Sequence, residues 1–137
     1  DAVEKGARVH CGGKVYESLP RCYPPTVLSE VDHSMAIMRD ESFGPVVGIM
    51  RVASDEEATH LMNDTSYGLT ASVFSSNQSR AEDILRSVDA GTAYWNCCDR
   101  VTPFLPWSGR RGSGIGSSLS TIGIRSFVQP KAYQLRA

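Results

Sequence analysis

The sequence predicts an α/β protein built on a parallel β-α-β-α-β core. From Val46 onward, short apolar runs alternate with stripes of helical period. Each stripe opens on a capping-box signature, Ser54 with Glu57 and then Ser79 with Glu82. Each strand-to-strand connection is long enough for a crossover, so the strands at 46–52, 70–75 and 92–96 are expected to run parallel, with right-handed crossovers.

The 137-residue chain opens without Met, in what reads as the end of a helix, and a truncation point is expected there. Residues 8–11 read as a short strand closed by Gly12 and Gly13. Residues 14–25 hold three prolines and alternate little, so they read as loop. Residues 26–31 form a strand, and 32–38 a short helical turn with Met35 and Met38 facing inward as packing residues. Gly44 and Pro45 bend the chain into the strand at 46–52. Ala58, Leu61 and Met62 share a helical face, and Gly68 breaks the chain before the strand at 70–75. Ala81, Ile84, Leu85 and Val88 form the second stripe, and Gly91 stands at a C-cap position. A parallel sheet is normally covered on both faces. Only part of that cover is present, so exposed sheet surface is expected.

Composition narrows the function classes. Hydrophobic residues make up 41% and charged residues 21%, ordinary for a globular domain. The net charge of -1 argues against a nucleic-acid or anionic-membrane partner. No apolar run is long enough to span a bilayer, and residues 1–6 lack the apolar core of a signal peptide. The four cysteines, Cys11, Cys22, Cys97 and Cys98, form no Cys-x-x-Cys pair and read as reduced thiols, which points to the cytoplasm. His10, His33 and His60 are scattered, and no metal site is expected.

Two stretches carry candidate chemistry. In residues 39–47, Glu41 and Phe43 stand two apart before the Gly-Pro bend. An extended backbone would point both the same way. A carboxylate beside an aromatic face suits a ligand with paired hydroxyls and a flat ring; the alternative is a core Phe43 and a solvated Glu41. The second stretch, 97–107, follows the carboxyl end of the third strand, where ligands gather in open α/β sheets. It is a pocket wall or a loop packed on a neighbouring element. Cys97 and Cys98 invite a nucleophile reading, but a catalytic thiol needs an activating group, and only Arg100 is near in sequence. The segment 109–116, with Arg110 and Arg111, lacks the Gly-x-x-x-x-Gly-Lys pattern of a phosphate loop, and no predicted strand leads into it. In the tail, 125–137, Tyr133 and Leu135 alternate with polar residues as an edge strand would; the alternative is a frayed terminus.

Glu41-x-Phe43-Gly44-Pro45-Val46 resembles a signature of the aldehyde dehydrogenase superfamily. Further matches follow in that family's order: Asn63 with Tyr67, Gly68 and Leu69; Ala71 to Phe74; Gly91 with Asn96; and Pro106, Trp107, Ser108, Gly109, Ser113, Gly114 and Gly116. Trp107 stands where the family has Phe, and Ser108 replaces the first glycine of the Pro-Phe-Gly-Gly step. The resemblance implies the C-terminal part of a catalytic domain over 1–124 and an oligomerisation strand over 125–137. It implies an enzyme that oxidises an aldehyde to a carboxylic acid with NAD or NADP, through a cysteine thiohemiacetal and thioester. Glu41 and Phe43 would then bind the cofactor at its ribose, and Cys98, Val101 and Trp107 would line the aldehyde tunnel. The nucleophilic cysteine, general-base glutamate and oxyanion asparagine would lie upstream, so the chain alone is expected to be inactive. The implied partners are the aldehyde, the rest of the same polypeptide and further subunits of a homo-oligomer. Two other readings stay open: a non-catalytic interaction module of the same fold, and a CoA-acylating or acyl-phosphate-reducing relative.

Overall fold

A computed structural model describes residues 1–98 and 100–136. Asp99, in the expected pocket-wall stretch, and Ala137, the end of the expected tail, lie outside the described residues. The chain divides into two units, Asp1–Ala53 and Ser54–Ala137.

The first unit is a three-stranded sheet in the order β1-β2-β3. β1 (Arg8–Cys11) pairs antiparallel with β2 (Thr26–Ser29), and β2 pairs parallel with β3 (Val46–Ile49). The turn after β1 uses two left-handed glycines, Gly12 at φ +73° and Gly13 at φ +81°. The Gly13 N–H donates to Thr26 Oγ1 at 2.8 Å, and that hydroxyl donates to the Pro24 carbonyl at 3.0 Å. A buried threonine thereby keeps its polar atom paired. Leu28, Val31, Met35 and Ala7 form the core, with Ile37, Met38 and Val46 packed against it. Met35 is only 1% exposed, and a single 3-10 turn, Ala36–Met38, follows it. The inward placement expected of Met35 and Met38 is therefore observed.

The second unit carries α1 (Asp55–Asn63), β4 (Thr70–Val73), α2 (Gln78–Ser87), β5 (Thr92–Trp95) and α3 (Ser120–Arg125). β4 and β5 pair in parallel, from Thr70 opposite Thr92 to Val73 opposite Trp95. Ser54 caps α1, its hydroxyl accepting from the Glu57 N–H at 3.2 Å. Two local readings need correction. α2 is capped by Asn77, not Ser79: the Asn77 side chain accepts from the Arg80 N–H at 3.0 Å, and Ser79 falls inside the first turn. Asn is at least as good a cap as Ser, and the capping-box pattern missed it. Gly91 is not a C-cap either, since α2 ends at Ser87 with Val88 as its C-cap.

The expected α/β class with parallel strands is observed, with the strands in two sheets. β3 takes β2 as its parallel neighbour, whereas β4 and β5 form their own two-stranded sheet around α2. Periodicity sets which face of a strand is apolar, but not which strand lies beside it. The uncovered apolar surface is observed: Val47 and Ile49 are 52% and 54% exposed, and Phe74 is 68% exposed. After Val128 the chain continues to Arg136 without regular secondary structure. The Lys131 ammonium there lies 5.0 Å from the Tyr133 ring centroid.

Candidate functional site

The site in the second unit is organised by Gly68. Its N–H donates to Ser113 Oγ at 3.0 Å, and its carbonyl accepts from the Gly91 and Arg110 N–H groups, each at 3.0 Å. Asn63 ties the ends of the two helices together. Its Nδ2 donates to the Ser87 carbonyl and its Oδ1 accepts from the Asp89 N–H, both at 2.8 Å. Arg111 locks the same corner, donating to Asp89 Oδ2 at 3.0 Å and to the carbonyls of Asn63 and Thr65 at 2.7 and 2.5 Å. A guanidinium offers five fixed donors, so one side chain serves three acceptors from two loops. Arg111 is therefore engaged in structure, and Arg110 Nε lies 3.9 Å from the same Asp89 carboxylate.

Gly91 owes its identity to space. A Cβ built on it would lie 1.6 Å from the Ser108 carbonyl oxygen, so the segment carrying Trp107 and Ser108 passes directly over its backbone. Sequence reasoning missed the roles of Asp89, Arg111 and Ser113, because their partners lie far off in the chain and leave no local pattern.

Asn96 directly follows β5, at φ +52°. Its side chain brackets Ser75, accepting from the Ser75 N–H at 2.8 Å and donating to the Ser75 carbonyl at 3.0 Å. Ser72 Oγ donates to the Cys97 carbonyl. These bonds fix where the chain leaves the strand. Cys97 is half-buried and Cys98 exposed, and both are free thiols.

Beyond them, Val101 and Trp107 come together in a narrow crevice with Leu105, Pro106 and Leu119, floored by Thr92 and Tyr94. Cys98 is not among the residues lining it. Trp107 is held by a two-way bridge to Ser118, its N–H donating to the Ser118 carbonyl at 2.8 Å and its carbonyl accepting from the Ser118 N–H at 2.9 Å. It also borders an open hollow with Leu69, Ser113 and Ile115. A second, polar hollow lies between α1 and α2, where Arg80 and Asp55 pair, with Arg80 Nη2 at 2.6 Å from Asp55 Oδ1. The hydrogen bond from Arg80 holds the Asp55 carboxyl below its usual range. Among the described residues, no group of three His, Cys, Asp or Glu side chains is placed to hold a metal ion. No helix among them is long and apolar enough to cross a membrane.

In the first unit, Glu41 and Phe43 both lie exposed on the irregular segment leading into β3, with Phe43 at 96%. The bend itself is pinned. The Gly44 N–H donates to Ser42 Oγ at 3.2 Å, the Val46 N–H to the Gly44 carbonyl at 2.8 Å, and the Thr26 N–H to the Pro45 carbonyl at 2.8 Å. A core role for Phe43 within this unit is excluded by its exposure. An accessible carboxylate and an accessible ring on an anchored bend fit a ribose-bearing ligand, which offers hydroxyl donors and an apolar ring face.

Residues 1–133 match the family model described as the aldehyde dehydrogenase family. The chain is 43% identical over 131 residues to an aldehyde dehydrogenase of Paenarthrobacter nicotinovorans, covering 96% of this chain and 29% of that protein. Among solved structures it resembles lactaldehyde dehydrogenase from Escherichia coli at 38% identity and TM-score 0.87, covering 93% of this chain and 27% of that one. Betaine aldehyde dehydrogenase from Staphylococcus aureus, in complex with NAD+, matches at 33% identity and TM-score 0.85, covering 92% of this chain and 26% of that one. The chain thus spans less than a third of the length of the relatives it matches. With the family model matched across nearly its whole length, the chain belongs to the aldehyde dehydrogenase family.

Proposed function

We propose that the chain is the C-terminal part of the catalytic domain, residues 1–124, with an oligomerisation tail at 125–137, of an NAD(P)-dependent enzyme that oxidises an aldehyde to a carboxylic acid. In this reading a cysteine thiolate elsewhere in the polypeptide attacks the carbonyl to give a thiohemiacetal. NAD or NADP, when bound, would supply the hydride acceptor, Glu41 and Phe43 would hold it, and water would hydrolyse the thioester. The chain's own part is to hold and shape. Glu41 accepts hydrogen bonds from ribose hydroxyls, and charge-assisted bonds of this kind are the stronger sort. Phe43 limits where the nicotinamide half lies. Cys98, Val101 and Trp107 wall the aldehyde. Positioning of this type acts on rate as well as affinity, because a reacting geometry held in advance removes entropy from the barrier.

The observation that carries the cofactor role is the nearly complete exposure of Phe43 beside an exposed Glu41 on a hydrogen-bonded bend. A ring of that size left outside the core suits contact with another group. The NAD+ complex of the staphylococcal relative supports the choice of cofactor class. The four free cysteines suit a reducing compartment, for which we propose the cytoplasm. Relatives named as chloroplastic and peroxisomal mark other compartments.

The test uses the full-length enzyme with propanal and either NAD+ or NADP+. Wild type should reduce the cofactor. Glu41→Gln should raise cofactor KM or slow the burst of reduced nicotinamide on the order of tenfold, consistent with trading a charge-assisted bond for a neutral one. A deuterated aldehyde identifies the slowed step. Unchanged cofactor KM, burst rate and isotope effect would return Glu41 to a solvated surface charge.

A further inference from the structure

Leu119 and Ser120 are consecutive non-glycine residues with positive φ, at +61° and +54°. Leu119 pairs its φ with ψ 174°, a combination that only glycine adopts freely. Such a conformation persists where surrounding bonds impose it, and here they do. On one side of Leu119, Ser118 is bridged to Trp107 in both directions. On the other side, the Ser120 N–H donates to the Pro103 carbonyl at 2.9 Å. The segment 103–107 is thus stapled at both ends to a three-residue stretch with Leu119 at its centre. Behind the staple, Gly123 of α3 is buried, and a Cβ there would meet the Ser118 carbonyl carbon at 2.6 Å. The helix therefore seats directly against the bridge.

Glycine would carry this backbone without strain. What leucine adds is a side chain, and Leu119 is among the residues lining the crevice shared with Val101, Leu105, Pro106 and Trp107. We infer that Leu119 is a positioning residue that holds the Trp107 indole and so governs which aldehydes the enzyme prefers. This inference rests on the proposed place of Trp107 in the substrate wall. It adds a residue that acts through Trp107, and a cause for its unfavourable backbone.

The experiment compares kcat/KM for benzaldehyde and propanal in the full-length enzyme. Leu119→Gly is the informative variant, because it suits the positive φ and removes only the side chain. Its benzaldehyde-to-propanal ratio should move in the same direction as that of Trp107→Ala, by about fivefold or more, the range expected for one altered pocket contact. Cofactor KM should hold, and Leu119→Met, which refills the crevice, should restore the ratio. In a Trp107→Ala background, Leu119→Gly should have no further effect on the ratio, since the two act through one contact. If Trp107→Ala shifts the ratio and Leu119→Gly leaves it at the wild-type value, Leu119 does not position the indole and the substrate wall stands. Additive effects in the double variant would also overturn the inference. If Trp107→Ala itself leaves the ratio unchanged, the substrate-wall reading fails and takes Leu119 with it.

Discussion

Gly91→Ala isolates close approach from backbone conformation. Gly91 lies outside the left-handed region, so alanine meets no φ penalty there, yet its methyl would fall 1.6 Å from the Ser108 carbonyl oxygen and 3.3 Å from that of Leu69. Both obstacles are backbone and cannot rotate away. The Ser108 oxygen would have to retreat about 1.4 Å to reach 3.0 Å. Such a shift pulls on the Arg110 N–H bond to the Gly68 carbonyl, which is part of the same stretch. Overpacking commonly costs about 1–3 kcal/mol, and loss of a backbone hydrogen bond adds about 1 kcal/mol. A loss of about 3 kcal/mol is therefore expected. Gly116→Ala is the matched control: its φ is +85° and a Cβ would meet nothing within 4 Å. It should cost only the left-handed penalty, about 1–2 kcal/mol. Denaturant unfolding of the full-length variants gives the ranking, and hydrogen exchange across 108–111 should show faster opening in Gly91→Ala alone. Equal stabilities for the two variants would refute the close-approach argument.

Three further outcomes are expected. Thr92 Oγ1 is buried with no hydrogen-bond partner among the described residues, so Thr92→Val should leave stability unchanged or raise it by up to about 1 kcal/mol; a clear loss in denaturant unfolding would mean the hydroxyl is paired. Under the proposed oligomerisation role of the tail, deletion of residues 133–137 should weaken subunit association, because a strand formed against a neighbouring subunit would lose its backbone partners; sedimentation showing an unchanged oligomer would remove that role. The Asp55 carboxyl is held low by Arg80, so its contribution is present above the ordinary carboxylate range and lost as pH falls through the lowered value. Arg80→Gln should therefore lower the thermal midpoint slightly at pH 7, with the gap closing progressively below about pH 4; a pH-independent gap would refute the linkage.

Much of this fold can be read locally. The stripe at Ala81, Ile84, Leu85 and Val88 foretells α2, and Ala81 is fully buried. Ser54 foretells the start of α1, because a cap acts within one turn. What escapes is whatever depends on a partner remote in sequence. Gly91 looks like a helix stop because glycine serves many purposes, and only the passage of Ser108 overhead shows which one applies. The lateral neighbour of β3 escapes for the same reason. Glu41 and Phe43 could be picked out as candidates from the sequence, whereas Leu119 could not. A leucine in a glycine-like conformation carries no signature until the backbone angles are known.

The bonding around Gly68 also implies an order of assembly. β4, α2 and β5 are consecutive, and their pairing closes a modest loop. The Gly68 N–H, by contrast, meets Ser113 across 45 residues of sequence. Ordering a longer loop costs more entropy and is repaid only once its contacts are made. The crossover should therefore become protected first, and the stretch bearing Trp107 should dock onto it afterwards. In pulse-labelled refolding of the full-length protein, amides of β4 and β5 would be occluded before those of Trp107, Arg110 and Ser118. Under the proposed substrate-wall role of Trp107, aldehyde discrimination would then be the last property the chain acquires as it folds.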